Sequence, residues 1–362
     1  MNSPQPAPSE ALVAPLGVVH PAPGAALLVP SKKIKVNGTT SEAYVREKPA
    51  FHKTVMQSLA FDNVNKRIFI AQVIEHDLKL DEHEPAKVPW ALRDKNGDLT
   101  ITMWQWNANL ATPAYQFGGR MFLRGYGHGV SIGVEPVGTD SYLWTEVDNI
   151  PYLLDAATDR WSGRGKNICR FKFRDTAAPQ GNASGHLQKH TPVPGSTHNS
   201  VNIDPVYGRL IHRFSLGGAM RYRVHDLDLA RMGVWDAYLA DVEEPTVSFL
   251  PKYGTPAFQG YASVGRYLYL LHGNAYGPAG STSPPEEGNT HITSVNLTTG
   301  DVDYTAHTRA GFTLEHREPE GLAIQVPDIT QPEVFRVAMG FAGGPGTGRN
   351  VSIYHKPELI AG

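Results

Sequence analysis

The chain has 362 residues, 41% apolar and 19% charged, with a formal charge of −2. That composition is globular, and the absence of a concentrated basic face excludes duplex nucleic acid as a partner. No apolar run approaches the roughly twenty residues of a membrane-crossing helix, so no membrane span is expected. The 36 glycines and 28 prolines supply the turns that a chain of many short strands needs.

Residues 1–30 are proline-rich and read as an extended arm ahead of one large domain over 31–362. The apolar stretch 11–28 is broken by prolines and preceded by no positive charge, so it is not an intact signal peptide. A secreted or cell-surface location, with a leader already removed, stays open.

From residue 57 a short signature recurs: a polar residue, a Gly or Ser, an apolar residue, a small residue and usually another apolar one. It reads Gln57-Ser-Leu-Ala-Phe61, His128-Gly-Val-Ser-Ile132, Asn199-Ser-Val-Asn-Ile203, Gln259-Gly-Tyr-Ala-Ser263 and Glu320-Gly-Leu-Ala-Ile324. The spacings are 71, 71, 60 and 61 residues, a long and steady period that marks a repeat architecture.

Alternating runs follow each signature: Arg67–Val73, Leu99–Trp106 and Met121–Arg124 after the first; Tyr142–Val147, Ile168–Phe173 and His186–Gln188 after the second. Arg209–Phe214, Met220–Val224 and Thr246–Leu250 follow the third, with one helix expected around Leu229–Leu239. Arg266–Leu271, His291–Leu297 and Val302–Thr305 follow the fourth. After the fifth come only Glu333–Val337 and Val351–Tyr354, leaving an outer strand that Ile34–Val36 would supply. The expected fold is all-β: a five-bladed β-propeller of four-stranded antiparallel blades, closed by an N-terminal strand.

The first residue of each inner strand would lie at one mouth of the central channel. Gln57, His128, Asn199, Gln259 and Glu320 would then form a polar ring, and converging polar groups need water, a metal or a ligand as partners. Long connections at 75–97, 148–166 and 274–290 carry Trp90, Arg93, Tyr152, Arg160, Trp161, Arg164 and Tyr276, side chains suited to a sugar or an anionic polymer. His316, Arg317, Glu318 and Glu320 are the densest polar group entering the ring, and His198 adds a second imidazole near His128. His128, His198, Glu320 and Arg317 are therefore candidate acid, base and anion-clamp residues. His128, His198 and Glu320 are also ligand types for a divalent metal in the channel, although no close-spaced motif such as HExxH accompanies them. A two-carboxylate glycosidase has Glu320 alone in the ring, with Glu318, Glu135 or Glu146 as uncertain partners. Asp94–Asp98 mimics part of a calcium loop but reads better as a turn. The single cysteine, Cys169, falls on the apolar face of an alternating strand and reads as buried.

The stretches Met56–Asp62, Gly125-Tyr126-Gly-His128-Gly-Val-Ser-Ile-Gly-Val-Glu-Pro136, Tyr142–Glu146 and Arg317–Leu322 resemble one propeller family. It is that of teichoic acid biosynthesis protein C and the propeller head of staphylococcal phage receptor-binding proteins, often labelled phage baseplate proteins. The resemblance covers about residues 50–360. It implies a five-bladed propeller that meets cell-wall glycopolymers. The chain lacks the further domains that a trimeric fibre would carry, which fits a stand-alone propeller better than a virion part.

Three functions follow. One is a module binding a carbohydrate or anionic glycopolymer through Gln57, Asn199, Gln259, His316, Tyr126, Trp161, Arg164 and Trp90. The second is a lyase or hydrolase at the same mouth with His128 as acid or base. The third is a tailoring enzyme for a small molecule.

Overall fold

The computed structural model describes residues 27, 29–35, 42–74, 97–109, 114–157, 160–176, 178–276, 287–344, 348–356 and 359–362. Most of the proposed N-terminal arm, Trp90, Arg93 and the Asp94–Lys–Asn part of the turn lie outside these residues, as do the side chains of Arg160 and Trp161.

Strands are the main regular element of the described residues, with one short α-helix. Strands β1 (Lys32–Ile34) and β2 (Glu42–Pro49) come first and pair with the end of the chain. A first antiparallel set follows: β3 (Met56–Asp62), β4 (Arg67–Val73), β5 (Leu99–Asn107) and β6 (Ala114–Arg124). The second set is β7 (Gly133–Val137), β8 (Asp140–Asp155) and β9 (Arg160–Lys172). Short β10 (Gln180–Gly181) joins the edge of β6, and β11 (Gln188–His190) the edge of β9. The third is β12 (Thr197–Asp204), β13 (Arg209–Leu216), β14 (Ala219–Asp226) and β15 (Tyr238–Glu243), linked to the second through the Asn199–Gly165 pair. The fourth is β16 (Phe258–Val264), β17 (Tyr267–His272), β18 (His291–Asn296) and β19 (Val302–His307). The fifth is β20 (Glu318–Gln325), β21 (Arg336–Gly343) and β22 (Asn350–Lys356), with β2 as its fourth strand; β23 (Leu359–Ala361) pairs with β1.

Apolar faces of neighbouring sets bury each other. Phe69 and Ile101 of the first set meet Leu143 and Phe171 of the second. Trp144 and Ile168 meet Val201 and Leu210 of the third. Tyr222 and Val224 meet Leu268 and Leu270 of the fourth, and Tyr269 and Leu271 meet Ile324 and Val337 of the fifth. Finally Ala323 and Ile353 of the fifth pack on Leu59 and Trp104 of the first. Burying an aromatic or branched side chain removes apolar area at about 25 cal/mol per Å², so these five interfaces supply the main driving force for folding.

The first strands of the sets also touch one another, β3 to β7, β7 to β12, β12 to β16, β16 to β20 and β20 to β3. Small residues permit the approach. A Cβ on Gly260 would sit 2.8 Å from Gly321 Cα, and one on Gly321, at φ +80°, 2.8 Å from Ser58 Cα. Ser58 Oγ donates to Gly129 O at 2.6 Å.

Several expectations are corrected. The fourth strand of the third set is β15, not Thr246–Leu250. The expected long helix is only Leu227–Arg231 (α1), capped by the Asp226 carboxylate. Gly233 at φ +76° ends it and lets the chain turn back early. Ile34 does not complete the fifth set. Its side chain is buried among fourth- and fifth-set residues and its N–H donates to Ser294 Oγ at 3.1 Å, so β2 takes that place. Connection 148–166 is not a loop but the extension of β8 and β9 into one long hairpin, with Ile150 opposite Arg164 and Tyr152 opposite Ser162.

Candidate functional site

A cavity of about 430 Å³ lies at the starts of β12 and β16, walled on one side by the β8–β9 hairpin. Its lining includes His128, Glu146, Tyr152, Ser162, Arg164, His198, Asn199, Arg213 and Phe258.

His128 is presented by a glycine-bounded turn. Gly127 and Gly129 have φ of +148° and +78°, and a Cβ on Gly127 would stand 2.3 Å from the Glu146 carboxylate. Any side chain there would displace Glu146. The Glu146 carboxylate accepts the Gly129 N–H at 2.6 Å on one side and the Gly165 N–H on the other, tying the turn to the hairpin. Burial pushes its pKa up to about 7 against the pull of backbone N–H groups of Gly165, Gly129, Val130 and His128. His128 Nδ1 shares a hydrogen bond of 3.2 Å with Ser162 Oγ.

Arg164 lies with its guanidinium 3.6 Å from the centre of the Tyr152 ring and forms no ion pair among the described residues. Arg213, in contrast, is committed to Glu244 at 2.6 Å and lies over Phe258. His198 occupies the left-handed region at φ +57°, rare outside glycine and a form of strain that gathers at functional sites. Its Nδ1 shares a 2.9 Å bond with Thr197 Oγ1. Burial, then Arg164 and Arg213, lower its pKa to about 4, so it is neutral at pH 7.

The other expected site residues are placed differently. Asn199 lines the cavity but is spent internally: its amide donates to Lys166 O at 2.8 Å, and its Oδ1 is 2.7 Å from His212 Nε2. Gln57 and Gln259 donate to backbone carbonyls of Val55 and Gly273. Glu320 is 6% exposed, and burial, then Glu318, hold its carboxyl well above the usual range. Neither glutamine nor Glu320 lines this cavity. Arg317 is fully buried and donates to Ala310 O, Thr290 Oγ1 and Thr308 O, so it knits loops of the fourth and fifth sets together and presents no edge to a ligand. Tyr126 is fully buried, its hydroxyl accepting from Gln180 Nε2 at 3.1 Å. His316 stands 3.8 Å from the Glu315 carboxylate, away from the cavity lining. Among the described residues no three His, Cys, Asp or Glu side chains gather as a metal site, so His128, His198 and Glu320 are not a ligand set. The cavity also draws on Ser162, Arg213 and Phe258, none of them singled out from sequence. Their convergence depends on the hairpin register, which the Gly163-Arg164-Gly165 stretch only hints at.

A second cavity, of about 490 Å³, lies at the opposite ends of the same first strands, lined by Phe61, Val64, Val134, Ile203, Leu227, Arg231, Val326 and Ile329 among others. Glu135 beneath it receives Arg170 in two bonds of 2.8 and 2.9 Å and Arg231 at 2.9 Å.

No protein-family model and no curated protein matches the chain. Among solved structures it is similar to the tail fibre of Staphylococcus aureus phage P68, with a TM-score of 0.62 and 19% identity over 89% of this chain. It covers 54% of that fibre chain, about half its length. The likeness is one of fold. The NanB sialidase of Streptococcus pneumoniae also aligns over 90% of this chain and 70% of its own, at 7% identity and a TM-score of 0.35, too low to carry an argument. No helix among the described residues is long and apolar enough to cross a membrane.

Proposed function

We propose that residues 31–362 form a five-bladed β-propeller that binds an anionic cell-wall glycopolymer, teichoic-acid-like or an acidic polysaccharide, in the His128–Arg164 cavity. The five apolar interfaces between successive sets, the fifth packing back onto the first, support the propeller. The binding function rests on one observation: Arg164 is a half-buried cation stacked on Tyr152, with no carboxylate partner among the described residues, in a cavity with two further imidazoles. A guanidinium in that state is a ready fork for a phosphodiester or carboxylate, and the Tyr152 ring offers a face to a sugar. The fold shared with a phage tail fibre agrees with a surface-binding role.

Titration calorimetry with glycerol-phosphate teichoic acid, and with dextran as a neutral control, tests this. Saturable binding of the anionic polymer alone is expected, weakened roughly 10- to 100-fold by Arg164→Ala, as for loss of one charged hydrogen bond. Equal binding of dextran, or an Arg164→Ala protein that binds as before, would refute it. The Ser162–His128 hydrogen bond keeps a second activity in view, acid–base cleavage of the bound polymer by His128. It requires released product that disappears in His128→Ala.

A further inference from the structure

The cavity that offers Arg164 to an anion also contains a carboxyl group. Glu146 is buried at its floor, yet its oxygens face only backbone N–H groups of the His128 turn and of Gly165. Among the described residues no lysine or arginine pairs with it. An anionic ligand entering this cavity of about 430 Å³ shares it with this buried group. Two like charges in such surroundings repel far more strongly than in bulk water, so one must be neutralised.

We propose that the cavity takes up its anionic ligand together with one proton, and that Glu146 carries that proton. This rests on the anion-binding function proposed above and adds its regulation. Thermodynamic reciprocity makes the two events mutually favourable: the bound anion raises the proton affinity of Glu146, and the proton raises the affinity for the anion. A surface more acidic than its surroundings would thus be gripped, and an alkaline one released.

The neighbouring ionisable groups leave Glu146 as the carrier. Asp148, two residues along the same strand, is tied to Asn167 at 2.9 Å and Lys189 at 2.6 Å, and those partners keep it ionised. Cys169 on β9 is buried and its thiol is held protonated. Arg213 on β13 is paired with Glu244, and Arg164 stacks on Tyr152. His198 on β12 is lowered to about 4 and remains neutral above pH 5. His128, in the turn itself, is the one competitor. The ordinary position of a Glu146 near 7 puts the effect in the same range as a histidine's, so variants must separate them.

The test is calorimetry with glycerol-phosphate teichoic acid from pH 5.5 to 8.5, in two buffers of different ionisation enthalpy. About one proton taken up per site is expected, with Kd rising about tenfold per pH unit above 7. In Glu146→Gln the slope flattens and proton uptake vanishes. In His128→Asn the slope persists, whatever the absolute affinity, which keeps the proposal testable should Glu146→Gln fail to fold. Binding without a pH slope, or a slope abolished by His128→Asn, overturns the inference and leaves anion binding standing. No binding of the polymer at any pH overturns both.

Discussion

The two cavities lie at opposite ends of the same first strands and are built in opposite ways. At the far end Glu135 holds Arg170 and Arg231, Arg231 also reaches Asp228, and Asp204 accepts the N–H groups of Val206, Tyr207 and Gly265. The rest of that lining is mostly apolar. At the near end, among the described residues, Arg164 forms no ion pair, His198 is held in a left-handed conformation, and the buried Glu146 carboxyl is bonded to backbone N–H groups. Saturated polar groups stabilise a fold, and unsaturated ones are available to a ligand. The same β12 supplies Asn199, fully bonded, and His198, strained, from adjacent positions. Pairing, not residue type, separates the polar groups spent on the fold from those the proposed function uses.

The largest expected effect would break the comparison at its structural end. Glu135→Ala strands Arg170 in the interior, and loss of one partner of a buried pair costs about 3–5 kcal/mol. A urea midpoint close to that of the parent protein would mean that the far cavity is not the anchored one. Polymer binding measured on the folded fraction should be unchanged.

Gly127→Ala tests the near end. Its Cβ, 2.3 Å from the Glu146 carboxylate, must displace the turn that carries His128. We expect affinity for the anionic polymer to fall at least about tenfold, roughly 1.4 kcal/mol, with a smaller loss of stability. Unchanged affinity would detach Glu146 from the site.

Acid stability sharpens the contrast on the scale of the whole chain. Among the described residues seven imidazoles, those of His190, His198, His212, His225, His272, His291 and His307, are lowered chiefly by burial. Their unfolded forms take protons near 6.5, whereas folded His198, His272 and His291 wait until about 4 and His225 until about 3. Between those values the unfolded chain binds more protons, so stability falls as pH falls. Three raised carboxyls, Glu146 at about 7, Asp204 at about 6 and Glu320, act the other way, because folded they bind protons that unfolded they release. Seven groups outweigh three, and the urea midpoint should drop from pH 7 to pH 5. A midpoint that rises on acidification would reverse the assignment of dominant groups.

The smallest effect is Val64→Ser at the far rim. Val64 is already 47% exposed, so a change within about 0.5 kcal/mol and no change in polymer binding are expected.

Much of this fold is legible in sequence because the same pairs recur between one set and the next. Asp62 ends β3 and accepts from Ser141 Oγ in the next set; Asp204 ends β12 and accepts from Gly265 N. Arg67 and Arg209 start the following strands and reach the same turns, at Thr139 O and Gly265 O. Strand β2 shows no such mark. Register shifts fall on both sides of Val45, and Glu47 sits at φ +49°, so its alternation is interrupted where a pattern would be sought. The hairpin wall of the cavity hides for a related reason: Asp148 at φ +61° and Pro151 read as a loop, although Asn149 still pairs with Gly165. Of the five matching positions expected to form a polar ring, only His128 and Asn199 line the cavity, and sequence does not say which polar groups are consumed by neighbouring carbonyls. That depends on backbone geometry several strands away, as with Arg317 and Ala310 O.

The pairing of β2 with β22 joins positions some three hundred residues apart, Glu42 to His355 and Lys48 to Val351. During synthesis that sheet must wait until residues 350–356 have left the ribosome, so it forms later than sheets made of neighbouring strands. Once formed, the ladder acts as a clasp: a pull between the two ends of the domain loads its rungs before it reaches any inner strand. A protein fastened at one end and held by a polymer at its mouth would therefore yield first at this seam.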